Sequence, residues 1–563
     1  MDKYADNTKS RVNMLDPFGI ASSYTAVIEA WSRNPEKLQE CFQEFYAGLF
    51  EIQQQVTRRA VGNFVPDPVT PVSEDERFRD KAWIESPWFD FMKEYYLLCT
   101  RSIEDTIFAT PDVPDKTRRR AAFWARQMLN TIAPGNFLWT NPAALNRFIT
   151  TGGLSLADGF RLWLEDLRKG DISMVDEDTY QLGKDIACTP GSVVFRNELL
   201  EVIQYAPATD EVHTVPIVII APWINKYYIL DLTPEKSLIH HLVKQGFTVF
   251  VTSWKNPGPE MRDTTFDDYL TKGALAAIET AREICGVPTV HAVGYCIGGT
   301  LLTALMAWAE KDKQTAHPVS NWTLLTTLID FTNPGDIDAF ITEDSIQWLE
   351  QRMAKTGYLD GRDMGTSFRW LRPNSLIWRY VIQSYLYGEN PPPMDVLQWN
   401  VDCTRLPMST HSFYLRKLYL ENRLVEPNAL KLAGRPIDLG LIHAPLYAVG
   451  TEQDHISPWK ETFKIASLIP APVHYTLATS GHILGILSPP IDPPKRRYWS
   501  GDASGNTKPE EWLASVDKVS GSWWENWVQW LHECCGPMVP SRTPGNNKYK
   551  PLAPAPGIYV MEK

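Results

Sequence analysis

The chain has 563 residues, with 55 Lys+Arg against 67 Asp+Glu and a net charge of −12. Nothing in that acidic balance favours nucleic acid, whose binders carry basic faces, and 44% hydrophobic residues argue against global disorder. Eight cysteines are too few for a disulfide scaffold and form no CxxC pair, so no structural zinc site is expected.

At roughly 150 residues per domain the length implies two to four domains. The N-terminal MDKYADNTKSR lacks the apolar core of a signal peptide. The longest uncharged stretch, 465–491, carries Pro470, Pro472, Pro489 and Pro490 and cannot form a continuous spanning helix. A cytoplasmic protein without a transmembrane segment is expected.

Residues 1–185 read as a helical N-terminal domain. Asn34 and Pro35 make an N-cap and first-turn pair ahead of Leu38, Phe42, Phe45, Leu49, Ile52 and Val56, a spacing that predicts one apolar helix face. A second helix is predicted over about 86–107. The pattern changes after Pro190-Gly191. Strands are predicted at 193–196, 200–205, 215–221, 247–252, 289–294, 322–329, 445–450 and 473–477, with helical patterns at 234–245 and 269–284 between them. Apolar strands alternating with helices indicate a mostly parallel, doubly covered sheet. Residues 186–563 are therefore read as one α/β catalytic domain. The alternation breaks at about 331–442, an insertion expected to cap the strand ends. Near the C-terminus, Ser522 and Glu525 suggest a capping box before Trp523, Trp527, Trp530 and Cys534, whose spacing predicts a core-facing helix. Irregular surface chain is expected from Pro537 onwards.

The strand at 289–294 runs into Gly294-Tyr295-Cys296-Ile297-Gly298-Gly299-Thr300 and then a helix. This is the strand–elbow–helix pattern of the α/β-hydrolase fold, with Cys in the nucleophile position. Glycines allow the sharp turn, and the helix N-terminus favours a thiolate. The partners should follow in the order acid, then histidine. Asp454 and His482 each lie just past consecutive predicted strands. Asp330 is the rival acid and His455, beside Asp454, the rival histidine. The Ile297 N–H is the expected first oxyanion donor. The second should come from Ala221–Lys226, with Ile224 chosen and Trp223 the alternative.

GYCIGGT, APWINKYYILDLTPEKSL, LRPNSLIW, WNVDCTRLP, EQDHISPW, SGHILG, GSWWENWVQWL and the closing PAPGIYV together resemble the polyhydroxyalkanoate synthases, with class I the nearest likeness in length. The resemblance is densest from about 190 onwards. It implies Cys296 as acyl-accepting nucleophile, His482 as its base, and Asp454 as a group that orients His482 or assists the incoming hydroxyl. His455 would be a neighbour of the site. The implied reaction polymerises (R)-3-hydroxyacyl-coenzyme A, 3-hydroxybutyryl-coenzyme A in the short-chain case, with release of coenzyme A. No metal or separate cofactor is implied, since coenzyme A belongs to the substrate. The resemblance also implies a homodimer on the surface of cytoplasmic polyester granules. Two other readings use the same residues: a Cys-dependent thioesterase or esterase with water as acceptor, and an inactive granule-associated scaffold.

Overall fold

The computed structural model describes residues 15–62, 76–176, 179–312 and 316–563; the N-terminal segment noted for lacking a signal core lies outside the described residues. The apolar runs after Pro190 become one eleven-stranded sheet. Its strands are β1 (Gly191–Arg196), β2 (Leu200–Tyr205), β3 (Ile217–Ile220), β4 (Val249–Trp254), β5 (Val290–Tyr295), β6 (Val319–Leu325), β7 (Leu446–Thr451), β8 (Val473–Ala478), β9 (Arg497–Ala503), β10 (Lys518–Ser520) and β11 (Ala553–Pro554). Their spatial order is β10-β9-β8-β7-β6-β5-β3-β4-β2-β1-β11. The six strands β4-β3-β5-β6-β7-β8 pair in parallel, and antiparallel strands extend both flanks. Every residue of β3, β4, β5 and β7 is buried, as parallel strands covered on both faces require.

Where expectation and structure differ, the causes are local. The strand expected at 322–329 runs Val319–Leu325, because Thr326 takes a positive φ of 41° and ends it. Its start is disguised by Ser320 and Asn321, and Asn321 is polar because it bonds the buried His291. Within 269–284, Tyr269–Leu275 winds as a π-helix before α-helical Ala276–Cys285.

The chain forms two compact units. One comprises the N-terminal helices with Asp338–Trp348 and Gly365–Met394; the other contains the sheet with Leu349–Met364 and Asp395–Lys563. The 331–442 insertion thus divides between them. In the first unit, α1 (Ile20–Arg33), α2 (Pro35–Ala60), α3 (Pro87–Phe108) and α4 (Asp115–Thr131) pack around two small apolar cores, and α5 (Leu154–Lys169) follows them in the chain. Pro35 does open α2, but Asn34 makes no side-chain cap; its Nδ2 donates to the Ala30 carbonyl at 2.9 Å and closes α1 instead. Ile52 and Val56 are buried with Phe45 and Leu49 beside them, whereas Phe42 is exposed together with Tyr46 and Phe50. On α5, a Cβ on Gly159 would meet the Tyr385 carbonyl oxygen at 2.1 Å. The exposed stripe of that helix is Leu156, Phe160, Trp163 and Leu167.

In the second unit, α6 (Ile297–Glu310) follows β5, and α7 (Trp523–Cys534) buries Trp523, Trp524 and Trp527. Ser522 caps α7 through the Trp524 N–H at 3.0 Å, so the expected box with Glu525 is not the one formed. The tail after Pro537 is mostly irregular but anchored, since it supplies β11 and its Val560 and Glu562 carbonyls accept from the buried Lys226 Nζ at 2.7 and 2.9 Å. Among the described residues, no helix is long and apolar enough to cross a membrane.

Candidate active site

Cys296 stands between β5 and α6 with φ 52° and ψ −125°, a backbone conformation that a side-chain-bearing residue holds only under constraint. The constraint is visible. The Cys296 N–H donates to the Leu325 carbonyl of the neighbouring strand at 2.9 Å, and its own carbonyl accepts from Gly299 and Thr300. A Cβ on Gly294 would lie 2.4 Å from the Gly299 Cα, and one on Gly298 would lie 2.3 Å from the Ile220 carbonyl oxygen. The glycines of the pattern are therefore there for close backbone approach, as expected. Cys296 caps α6, so Ile297 contributes the first N–H of that helix.

Asp454 and His482 follow β7 and β8, adjacent parallel strands whose C-terminal ends open on one edge of the sheet. His482 Nδ1 bonds Asp454 Oδ2 at 2.8 Å. With Nδ1 so occupied, Nε2 is the ring nitrogen left to face Cys296, whose sulfur lies close enough to act on the imidazole. Both partners are buried, His482 at 6% and Asp454 at 8% exposure. The Asp454 carboxylate is filled: Oδ1 accepts from the Ile456 and Ser457 N–H groups, each at 2.8 Å, and Oδ2 accepts from Thr451 as well as His482. Burial alone would lower the His482 imidazole. The Asp454 carboxylate and the Cys296 sulfur outweigh it and push it up to about 10. The Tyr295 ring stacks along His482 at 5.8 Å between centroids.

Neither rival shares the contact between Asp454 and His482. Asp330 is engaged by Thr332, Asn422 and Lys464 and has no part in the His482 contact. His455 adjoins Asp454 in sequence, yet the ring that the carboxylate holds is that of His482. Ile224, and Trp223 before it, lie in the loop after β3; Trp223 and Ile297 belong to the main apolar core, and Ile224 packs against that core. Sequence reasoning missed three neighbours. Tyr414 lies close enough to Cys296 that, after burial and Tyr419, the sulfur helps to push its hydroxyl well up. Thr451 braces Asp454, and Thr404 bonds the Trp223 and Ile224 carbonyls. A hydroxyl three residues before the acid is the one local signal for Thr451; nothing local in sequence signals Thr404 or Tyr414.

One group outside the site, His291 with Cys534 and Cys535, brings three soft ligand atoms within 4.8 Å of one another. Both His291 ring nitrogens are already engaged, by Asn321 and Thr323. The donor set is thus consumed by the protein's own hydrogen bonds and does not fit an ion.

Residues 74–242 match the family described as the N-terminus of poly-beta-hydroxybutyrate polymerase, and residues 225–489 match the alpha/beta hydrolase fold family. The chain is 40% identical over 550 residues to the poly(3-hydroxyalkanoate) polymerase of Methylorubrum extorquens, covering 96% of this chain and 89% of that one. It belongs to the poly(3-hydroxyalkanoate) polymerase family. A second family member, the poly(3-hydroxyalkanoate) polymerase subunit PhaC of Cupriavidus necator, is 39% identical over 534 residues, 93% of this chain and 88% of that one. The chain is thus an enzyme of acyltransferase type with an α/β-hydrolase fold, as the sequence led us to expect. Among solved structures, a monoacylglycerol lipase of Paleococcus ferrophilus is 12% identical, covering 60% of this chain and 98% of its own, with a TM-score of 0.32.

Proposed function

We propose that this polymerase takes (R)-3-hydroxyacyl-coenzyme A, with 3-hydroxybutyryl-coenzyme A as the short-chain substrate, and lengthens a polyester through an acyl–Cys296 intermediate. The single observation that supports this most is the Asp454–His482 hydrogen bond, which leaves the imidazole beside the Cys296 sulfur at the end of β5. His482 Nε2 takes the thiol proton, and the thiolate attacks the thioester carbonyl. The new C–S bond gives a tetrahedral oxyanion, received by the Ile297 and Ile224 N–H groups. Collapse breaks the bond to coenzyme A, whose sulfur leaves with the proton from His482. The hydroxyl of an incoming 3-hydroxyacyl group then gives its proton to His482 and attacks the acyl–Cys296 thioester, forming the ester and freeing the thiol. Exchange of one thioester for another keeps the acyl group reactive towards that hydroxyl.

Asp454 is read here as the group that orients His482 and not as a base for the hydroxyl, because all its carboxylate contacts are committed. No metal or separate cofactor enters the scheme. The reading extends to a cytoplasmic polyester granule as the working surface, a role for which the exposed Leu156, Phe160, Trp163 and Leu167 stripe is suited. The test mixes purified protein with (R)-3-hydroxybutyryl-coenzyme A and follows both thiol release and product. Thiol release with insoluble polyester, both abolished in Cys296→Ala, is expected. Release yielding only the free hydroxy acid would instead make the protein a hydrolase.

A further inference from the structure

The loop Ala221–Lys226 between β3 and the next turn of chain is held through its peptide groups by side chains from elsewhere in the sheet unit. The Ala221 N–H donates to Thr252 Oγ1 at 3.0 Å, and its carbonyl accepts from the Trp254 indole at 2.7 Å. The Lys226 carbonyl accepts from the Trp399 indole at 2.7 Å. Between these two anchors a single hydroxyl serves the loop. Thr404 Oγ1 lies 2.7 Å from the Trp223 carbonyl oxygen and 2.6 Å from that of Ile224, and Thr404 is 5% exposed. The backbone at Cys403 bridges Asn225 alongside.

In a trans peptide the C=O of one residue and the N–H of the next point in opposite directions. The Trp223–Ile224 bond is not among the cis peptides, so a Trp223 carbonyl turned towards Thr404 turns the Ile224 N–H away from it. We infer that Thr404 is a positioning residue for catalysis: its buried hydroxyl, sharing one proton between two carbonyls, fixes the direction in which the Ile224 amide is offered to the oxyanion. The inference rests on the reading of Ile224 as the second donor. The chemistry explains why a threonine is needed there. A side chain of the same shape without the hydroxyl leaves the buried Trp223 carbonyl and the half-buried Ile224 carbonyl without that donor, and turning the peptide relieves this.

The test compares Thr404→Val and Thr404→Ser with the parent, as full chains. Steady-state coenzyme A release from (R)-3-hydroxybutyryl-coenzyme A is measured, together with alkylation of Cys296 by iodoacetamide, read on its peptide by mass spectrometry. Alkylation uses the same thiol but forms no oxyanion. Thr404→Val is expected to lower kcat by about 10- to 100-fold, less than the ~10²–10³ that loss of a whole donor costs, because the amide is misdirected and not removed. KM and the alkylation rate should stay near parent values, and Thr404→Ser should restore most of kcat. An unchanged kcat in Thr404→Val, a parallel fall in alkylation, or a serine variant as poor as valine would each overturn the inference. Should valine fail to fold, Thr404→Ala is read in the same way. Replacing the Ile224 N–H by an ester oxygen, through the α-hydroxy-acid counterpart of isoleucine, separates the two readings. An ester that leaves kcat untouched removes Ile224 as donor, and the role of Thr404 with it. A damaging ester beside a harmless Thr404→Val leaves Ile224 in place and removes Thr404 alone.

Discussion

At position 298 there is no room for a methyl group: it would sit 2.3 Å from the Ile220 carbonyl oxygen and 2.8 Å from that of Ala221. Because both obstacles are backbone, neither can swing aside. Gly298→Ala is expected to reduce activity by at least about 100-fold, since a shift of 1 Å at a catalytic group already costs that much; coenzyme A release measures it. His482 gives a pH signature. Its folded imidazole is pushed up to about 10, against about 6.5 in an unfolded chain. The stability it contributes through its charge is therefore complete below about pH 6.5 and lost as the pH climbs towards 10. The Tm difference between the parent and His482→Gln should be widest near pH 6 and narrow at alkaline pH. Asp454→Asn should slow even the first turnover, by about 10⁴-fold, if the carboxylate acts by orienting His482; a normal burst followed by slow elongation would assign it to the hydroxyl instead. Cys296, Asp454 and His482 were legible in sequence because glycine spacing and strand ends mark them locally. Thr404 was not, because its partners lie about 180 positions away and are backbone atoms, which carry no sequence signature.

Elements were legible where burial is two-sided and obscured where a polar residue has a hidden partner. β3, β4, β5 and β7 read directly as apolar runs. β6 began three residues earlier than its apolar run because Asn321 is spent on His291. The α7 stripe was legible for the same reason as the strands: Trp523, Trp524 and Trp527 are almost wholly enclosed. Trp527 also donates from its indole to Thr323 at 2.9 Å. Trp527→Ala should cost about 3–5 kcal/mol in denaturant unfolding, the range for emptying a large aromatic site. The tail was misjudged in one respect, since composition reveals an irregular backbone but not that its carbonyls satisfy Lys226. Lys226 also pairs with Asp402 at 2.8 Å. Lys226→Met is expected to cost about 3 kcal/mol, because the Asp402 carboxylate then keeps its partial burial without its cation.

Over the whole molecule, the sequence suggests a division at about residue 185, whereas the structure groups the chain into two discontinuous compact units. The sequence did not show that Asp338–Trp348 and Gly365–Met394 group with the N-terminal helices, because membership of a compact unit is decided by contacts between distant segments. The apolar stripes at Phe42, Tyr46 and Phe50 and at Leu156, Phe160, Trp163 and Leu167 remain exposed in the chain. Replacing Phe160 and Trp163 by serine should reduce co-sedimentation with polyester granules while leaving thiol release from soluble substrate near the parent rate.

The bare elbow has a practical consequence for anyone wishing to change which monomers the enzyme accepts. Variation at 294, 298 or 299 is closed, since each candidate side chain would meet a neighbour at 2.4 Å or less. A randomised library should spend none of its diversity there. Its diversity is better spent on Phe331, Tyr414 and Tyr419, rings that pack edge-on 4.8 to 6.2 Å apart by centroid, reach Cys296 through Tyr414 and lie outside the turn that carries the thiol.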